Sequence, residues 1–214
     1  MTSGKVEKIK NMKSTNNIKL ILASSSPRRK KILQQAGISF KAINTNTKEE
    51  LLIKKFRRFG FIDLAKLLSL AKAIGAYLNK PKKQMQDNEV IVAFDTMVVC
   101  KNKIISKPKN NEDALRKLLF LSNKKHIVIT GICILDLKKK KIILDFEETQ
   151  VYMKRISKEE AIQYVKTKEP LGKAGAYAIQ GKGKQFIQKI KGDYLNVVGL
   201  PLERFLKILK TFVG

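Results

Sequence analysis

Apolar positions fall into two rhythms along this chain: short runs rich in β-branched residues, and longer stretches whose apolar side chains recur every three or four positions. Residues 18–23 form the first run and predict a strand. Ser24-Ser25-Ser26-Pro27 follows, then a segment of helical character over 28–36 with Gly37 as its stop. Serine before a helix, proline at its first position and glycine just past its end are the expected punctuation. Residues 40–43 predict a second strand, 44–50 are polar, and 63–78 place Leu64, Leu67, Leu68, Ala71 and Ile74 at helical spacing. A long apolar run over 90–100 reads as a strand, 111–121 as a helix with an asparagine cap, and 126–135 as another strand. Lysines 138–141 make an exposed turn, 142–153 return as a strand, and Ser157 with Glu160 forms a capping box for a helix to about Val165. The stretch 172–183 is rich in glycine, and Pro201 opens a last amphipathic helix carrying Leu202, Phe205, Leu206 and Leu209. Strands and helices alternate without a linker or a repeat, so the pattern predicts one α/β domain over residues 18–214.

Composition narrows the class of protein. At 214 residues the chain is long enough to bury roughly 70% of its unfolded surface. No apolar run approaches the ~20 residues of a membrane crossing. Lysine and arginine number 45 against 18 acidic residues, a net charge of +27 that suits an anionic partner without identifying one. Cys100 and Cys133 sit in apolar runs and form no CxxC pair, which predicts buried free thiols in a reducing compartment. A single histidine, His126, excludes His-rich zinc sites. Residues 1–17 are polar and lysine-rich and predict a disordered basic extension, not a secretory signal; the expected location is the cytoplasm.

Three places break the rules of stability. Arg28, Arg29, Lys30 and Lys31 crowd the first turn of the first helix, where the backbone already presents partial positive charge. Unsatisfied N–H groups, three preceding hydroxyls and two guanidiniums together suit a phosphate-bearing ligand, while Lys30 and Lys31 read as a solvated charge run. The GxxxxGK[ST] spacing of a Walker A loop is absent. Asp95 interrupts Val90-Ile91-Val92-Ala93-Phe94-Asp95-Thr96-Met97-Val98-Val99, where an ion is costly without a partner. Either it ends one strand in a turn and faces water, or it is a strand-end carboxylate that binds a metal or activates water. Lys107-Pro108 supplies a cation with a rigid neighbour soon after. Gly172 to Gly181 allow close backbone approach, and Gln180 can bind a base edge; a hairpin with a glycine turn explains the same residues.

Leu22-Ala23-Ser24-Ser25-Ser26-Pro27-Arg28-Arg29, Ala93-Phe94-Asp95-Thr96, Lys107-Pro108, the segment 174–181 and Val197-Val198-Gly199-Leu200-Pro201-Leu202 occur in one order. In that order the chain resembles the Maf family of nucleoside triphosphate pyrophosphatases, from about Leu20 to the C-terminus. The resemblance implies a mixed, twisted sheet flanked by helices around a central cleft, as in inosine triphosphatase-like folds. It implies hydrolysis of a nucleoside triphosphate between the α and β phosphates with Mg²⁺ or Mn²⁺, and no specific nucleic-acid or membrane partner. A homodimer is left open. Residue by residue, Ser24, Ser26 and Arg29 match the family's SxSxxR phosphate pattern, Lys72 and Lys107 its lysines, and Asp95 its catalytic acid/base, which also stands beside the metal. Glu49 matches the metal-linked glutamate, with Glu50 as the alternative because residues 44–50 lack the usual preceding acids. Ala71 stands where many relatives carry glutamate. Arg28, Thr96 and Gln180 resemble the branch that acts on dTTP and UTP and not the 7-methyl-GTP branch. His126 and Thr130 match an H-x-V-x-T strand, where a lone histidine is expected to be a structural hydrogen-bonder.

Two other readings compete. A pI near 10.1 is what a nucleic-acid-binding protein would show, yet the basic residues are spread along the whole chain and aromatics are only 7%, too few for stacking platforms. A cell-division regulatory role is attached to the family by name, and no residue here speaks to it.

Overall fold

The computed structural model describes residues 18–45, 47–81 and 88–213; the basic extension expected over 1–17 lies outside them. Among the described residues, seven strands form a mixed sheet flanked by helices, in the order β2 (Phe40–Ile43), β1 (Lys19–Ala23), β3 (Glu89–Cys100), β5 (Lys125–Asp136), β6 (Lys141–Met153) and β7 (Ile187–Lys191), with β4 (Lys103–Ile104) paired to β3. The chain packs as two compact units, one comprising residues up to 95, 131–146 and 202 onward, the other 96–130 and 147–201. No linker marks the junctions because three of them fall inside continuous strands, which is why the hydrophobic pattern reads as undivided.

In the first unit β1 (Lys19–Ala23) lies between β2 (Phe40–Ile43) and the start of β3 (Glu89–Cys100), parallel to both, with Leu20 opposite Phe40 and Val90. A strand paired on both sides and covered on both faces needs a continuous apolar run, and Leu20 to Ala23 are all buried. Helix α1 (Pro27–Gln35) follows β1, with Ser26 as its N-cap and Pro27 in its first turn. Helix α2 (Glu49–Phe56) and a 3₁₀ turn (Arg57–Phe59) follow β2. The polar reading of 44–50 therefore stops short: a helix begins at Glu49, and it escapes a periodicity search because none of its residues is buried.

Helix α3 (Phe61–Leu78) buries Leu64, Ala65, Leu68, Ser69, Lys72, Ala73 and Ala76 on one face. Ala73 and Ala76 join Ile21, Ala23, Ile91, Ala93, Cys133 and Leu135 in the core of this unit. The terminal helix α7 (Leu202–Val213) sets Phe205 edge-on to Phe94 at 5.3 Å between ring centres.

The second unit holds the remainder of β3, β4 (Lys103–Ile104), α4 (Asn111–Leu121), the first half of β5 (Lys125–Asp136) and the second half of β6 (Lys141–Met153). It also holds α5 (Lys158–Lys166), β7 (Ile187–Lys191) and the short α6 (Tyr194–Val198). Helix α4 is capped by Asn110, which accepts from the Asp113 N–H at 2.9 Å, and α5 carries the expected Ser157–Glu160 capping box. The glycine-rich stretch is not a hairpin: 3₁₀ turns at Ala174–Ala176 and Lys182–Phe186 lead into β7, which pairs antiparallel with β6. No described helix is long and apolar enough to cross a membrane.

Candidate active site

Ser24 is the first residue beyond β1, and the chain turns there into α1. Its hydroxyl accepts from the Ser26 N–H at 3.2 Å and from the Arg29 Nη1 at 3.3 Å. The Ser26 hydroxyl in turn accepts from the Arg29 N–H at 3.5 Å. The arginine thus folds back over the turn that precedes it and becomes buried, while Arg28 stays half-buried and Lys31 is exposed. Burial pulls the Arg29 guanidinium below its ordinary value; the charges of Asp95 and Glu49 act the other way, and Arg28 adds to the lowering. Burial also lowers Arg28. Guanidiniums remain charged under such shifts, so both are cations at this turn.

Asp95 is only 5% exposed and stands in the middle of β3, as the seventh of its 12 residues. Neither a strand-ending turn nor a strand-end carboxylate is correct, because the ladder continues through Thr96 to Cys100. What makes the burial tolerable is Lys72. Its helical register turns it to the core face of α3, and its ammonium bonds both Asp95 Oδ1 and, at 2.8 Å, Glu49 Oε1. Glu49 reaches it from the first turn of α2, where a carboxylate also suits the helix dipole.

Parallel pairing explains why these pieces meet. Leu22 lies opposite Val92 and Ala23 opposite Ile43, so the turn after β1, the loop after β2 and Asp95 on β3 all follow from the same end of three parallel strands. Ligands of open α/β sheets bind beyond the carboxyl ends of such strands. Ser24, Ser26, Arg28, Arg29, Glu49, Lys72 and Asp95 all belong to the first unit, which sets three cations beside two carboxylates.

Two hard-oxygen side chains meeting at one ammonium fit a magnesium-type ion, which commonly takes one or two carboxylates and completes its shell with phosphate oxygens and water. Among the described residues no group of three or more His, Cys, Asp and Glu gathers as a self-sufficient metal cage. The donor set therefore suits a metal that arrives with a phosphate ligand.

The other expected site residues lie in the second unit. Thr96 shares a hydrogen bond of 2.9 Å with Thr130 and donates to the Gly199 carbonyl at 3.4 Å. Lys107 is exposed, with its carbonyl accepting from Lys117 Nζ at 3.0 Å, and Gln180 is exposed on the loop after the first 3₁₀ turn. His126 is buried, with Nε2 at 2.8 Å from the Tyr177 hydroxyl. Desolvation pushes it down to about 4, so at neutral pH it is an uncharged structural partner, as expected. Both cysteines are buried and free, and burial pushes Cys133 up to about 12. Sequence reasoning missed Asn196, whose buried amide donates to the Val128 carbonyl, the Glu147 carbonyl and Thr149 Oγ1 at 3.0, 3.3 and 3.0 Å. Its signal was a lone amide just before the Val197-Val198-Gly199 motif.

A comparison with known proteins matches residues 19–212 to the family described as Maf-like protein. The chain belongs to the Maf family. Among its Maf relatives is a dTTP/UTP pyrophosphatase of Alkaliphilus oremlandii (strain OhILAs), 41% identical over 192 residues that cover 90% of this chain and 95% of the relative. A protein of the same name from Thermoanaerobacter sp. (strain X514) is 40% identical over 195 residues, covering 90% and 96%. One from Bacillus cereus (strain G9842) is 39% identical over 194 residues, covering 91% and 95%. These Maf proteins align nearly end to end with the described chain, so the site residues of both units fall within the shared span.

Proposed function

We propose that this Maf protein hydrolyses dTTP and UTP to the monophosphate and pyrophosphate. The observation that carries the reading is the Lys72 ammonium held between Glu49 and Asp95 beside the Ser24–Arg29 turn, in a chain similar to proteins named dTTP/UTP pyrophosphatase. The Ser24 and Ser26 turn with Arg29 binds phosphate oxygens, since oriented N–H groups and a guanidinium fork match their geometry. Asp95 accepts the proton of a water whose oxygen forms a bond to the α-phosphorus as the bond from that phosphorus to the α–β bridging oxygen breaks. Pyrophosphate leaves with that bridging oxygen, and Arg29 and Lys72 offset its developing charge.

Glu49 and Asp95 would hold Mg²⁺ or Mn²⁺; when bound, the ion polarises phosphate oxygens and offsets their charge. Lys107 is assigned to phosphate and Arg28, Thr96 and Gln180 to the pyrimidine by the resemblance. Such work on nucleotide pools places the protein in the cytoplasm, which agrees with two buried free thiols. A homodimer remains part of this proposal as an arrangement to be measured.

A nucleotide panel with pyrophosphate detection, run with and without Mg²⁺ or Mn²⁺, tests the reading. Release of pyrophosphate from dTTP and UTP, dependent on the added metal and well above that from purine triphosphates, is the expected result. Absence of pyrophosphate from every nucleotide, or release of orthophosphate alone, overturns it.

A further inference from the structure

The glycine-rich stretch does not need a ligand to explain its composition. Tyr164, buried in α5, accepts at its phenol oxygen from the Ala178 N–H at 3.0 Å. The Glu169 carboxylate accepts from the Lys182 N–H at 3.2 Å and the Gly183 N–H at 3.1 Å. Between these anchors the Gly181 N–H closes a turn on the Ala178 carbonyl at 3.2 Å. The two ends of the five-residue segment 178–182 therefore hang on Tyr164 and Glu169, which stand five residues apart in sequence. The Lys173 ammonium holds the Glu169 carbonyl from the other side, and Tyr177 is tied to His126 just before the segment begins.

The glycines follow from this arrangement. A Cβ on Gly183 would lie 2.6 Å from the Tyr164 hydroxyl and 2.8 Å from the Ala178 nitrogen, and one on Gly181 would fall on the Glu169 carboxylate. Side chains are excluded where Tyr164 and Glu169 approach the backbone. Ala176, Tyr177 and Ile179 are buried in the same stretch, whereas Gln180 projects outward. A carboxylate shared by two backbone N–H groups is a charge-assisted arrangement, stronger than a turn needs to close.

With Gln180 as the base-reading side chain proposed above, we infer that Tyr164 and Glu169 are positioning residues for base selection, fixing the Gln180 turn before a nucleotide binds. An amide that must be ordered on binding loses part of its interaction energy to that ordering; one already held in place keeps it. The gain falls on the base that Gln180 matches, so the strap sharpens discrimination and leaves the phosphate chemistry alone.

The test measures kcat and KM of the full chain for dTTP, UTP, dCTP and dGTP in Glu169→Ala, Tyr164→Phe, Glu169→Gln and Gln180→Ala. Tyr164→Phe keeps the edge-on packing against Phe186 at 5.2 Å and removes only the hydroxyl, so it decides the matter even where Glu169→Ala does not fold. Glu169→Ala and Tyr164→Phe are expected to lower the ratio of kcat/KM for dTTP over dCTP by about 10-fold, through a higher KM for dTTP, with kcat nearly unchanged. Glu169→Gln, which keeps an acceptor oxygen, should recover part of that ratio. An unchanged ratio in both variants beside a collapsed ratio in Gln180→Ala overturns the strap while leaving Gln180 as the base reader. A uniform fall in kcat for all four nucleotides overturns it too, as the mark of a merely structural role. An intact ratio in Gln180→Ala instead removes the base-reading role itself, and the strap's part in selection with it.

Discussion

A carboxylate as buried as Asp95 persists only with a partner, and the partner it has is shared with Glu49. The two halves of this contact should fail differently. Asp95→Asn leaves Lys72 paired with Glu49, so folding and nucleotide binding are retained while the general base is lost. Turnover is expected to fall at least ~100-fold with KM for dTTP near the wild-type value. Lys72→Met leaves two carboxylates facing each other without their cation, which should lower unfolding stability by about 3 kcal/mol as well as activity. Urea unfolding and steady-state kinetics on both variants separate the roles; unchanged turnover in Asp95→Asn removes that residue from the chemistry. At this scale much was legible. A lone acid in an apolar run and two arginines at a helix start announce themselves by breaking local rules, and the structure brings them to one end of the parallel strands. Lys72 was legible only through the family resemblance, because one lysine among so many carries no local signal and its partners lie 23 residues away in either direction.

Elements are positioned by contacts that leave weaker traces. Gly131 on β5 sits so close to α3 that a Cβ there would land on the Ala65 carbonyl and 2.7 Å from the Lys66 nitrogen. Because backbone cannot yield as a side-chain tip can, Gly131→Ala should push α3 off the strand and lower stability by at least ~2 kcal/mol. Gly75, on α3 itself, is the contrast: its Cβ would meet Thr47 Oγ1 at 3.4 Å, an ordinary contact. Gly75→Ala should therefore be neutral or stabilising by up to ~1 kcal/mol through helix propensity. Thermal unfolding of both variants checks the pair, and equal shifts would mean that the α3–β5 approach is not what requires glycine at 131. Strands β1, β2, β3, β5 and β6 and helices α1, α3, α4, α5 and α7 announce themselves by burial period and caps. What escapes has little burial to report. Helix α2 buries no residue and shows only acids in its first turn and bases in its last, and β7 is a short strand with no buried residue. The glycine-rich stretch misleads for the opposite reason, since its turns are set by Tyr164 and Glu169, which lie outside it in sequence.

For the molecule as a whole, the net charge of +27 is almost inert to pH between 7 and 5, because lysines and arginines do not titrate there. The single histidine does. His126 is held down to about 4 by desolvation in the folded protein, against 6.5 as its ordinary value. Between those values the unfolded chain binds a proton that the folded chain refuses, so stability rises with pH and is lost on acidification. By pH 5 the loss amounts to about 2 kcal/mol, or roughly 4–8 °C in Tm for a chain of this size. Asp145 acts lower on the scale: burial would raise it, yet its hydrogen bonds from Arg204 and the Phe146 N–H hold it below the usual carboxylate value, so its contribution is lost only at more acid pH. Melting curves at pH 7 and pH 5, at one ionic strength so that screening of the +27 excess is constant, should show the drop in the wild type. His126→Gln, which keeps a donor and an acceptor for Tyr177 and cannot take up the proton, should lose most of the pH-dependent difference. An equal drop in both proteins would assign the acid sensitivity to the carboxylates and mean that His126 takes up its proton alike in folded and unfolded chain.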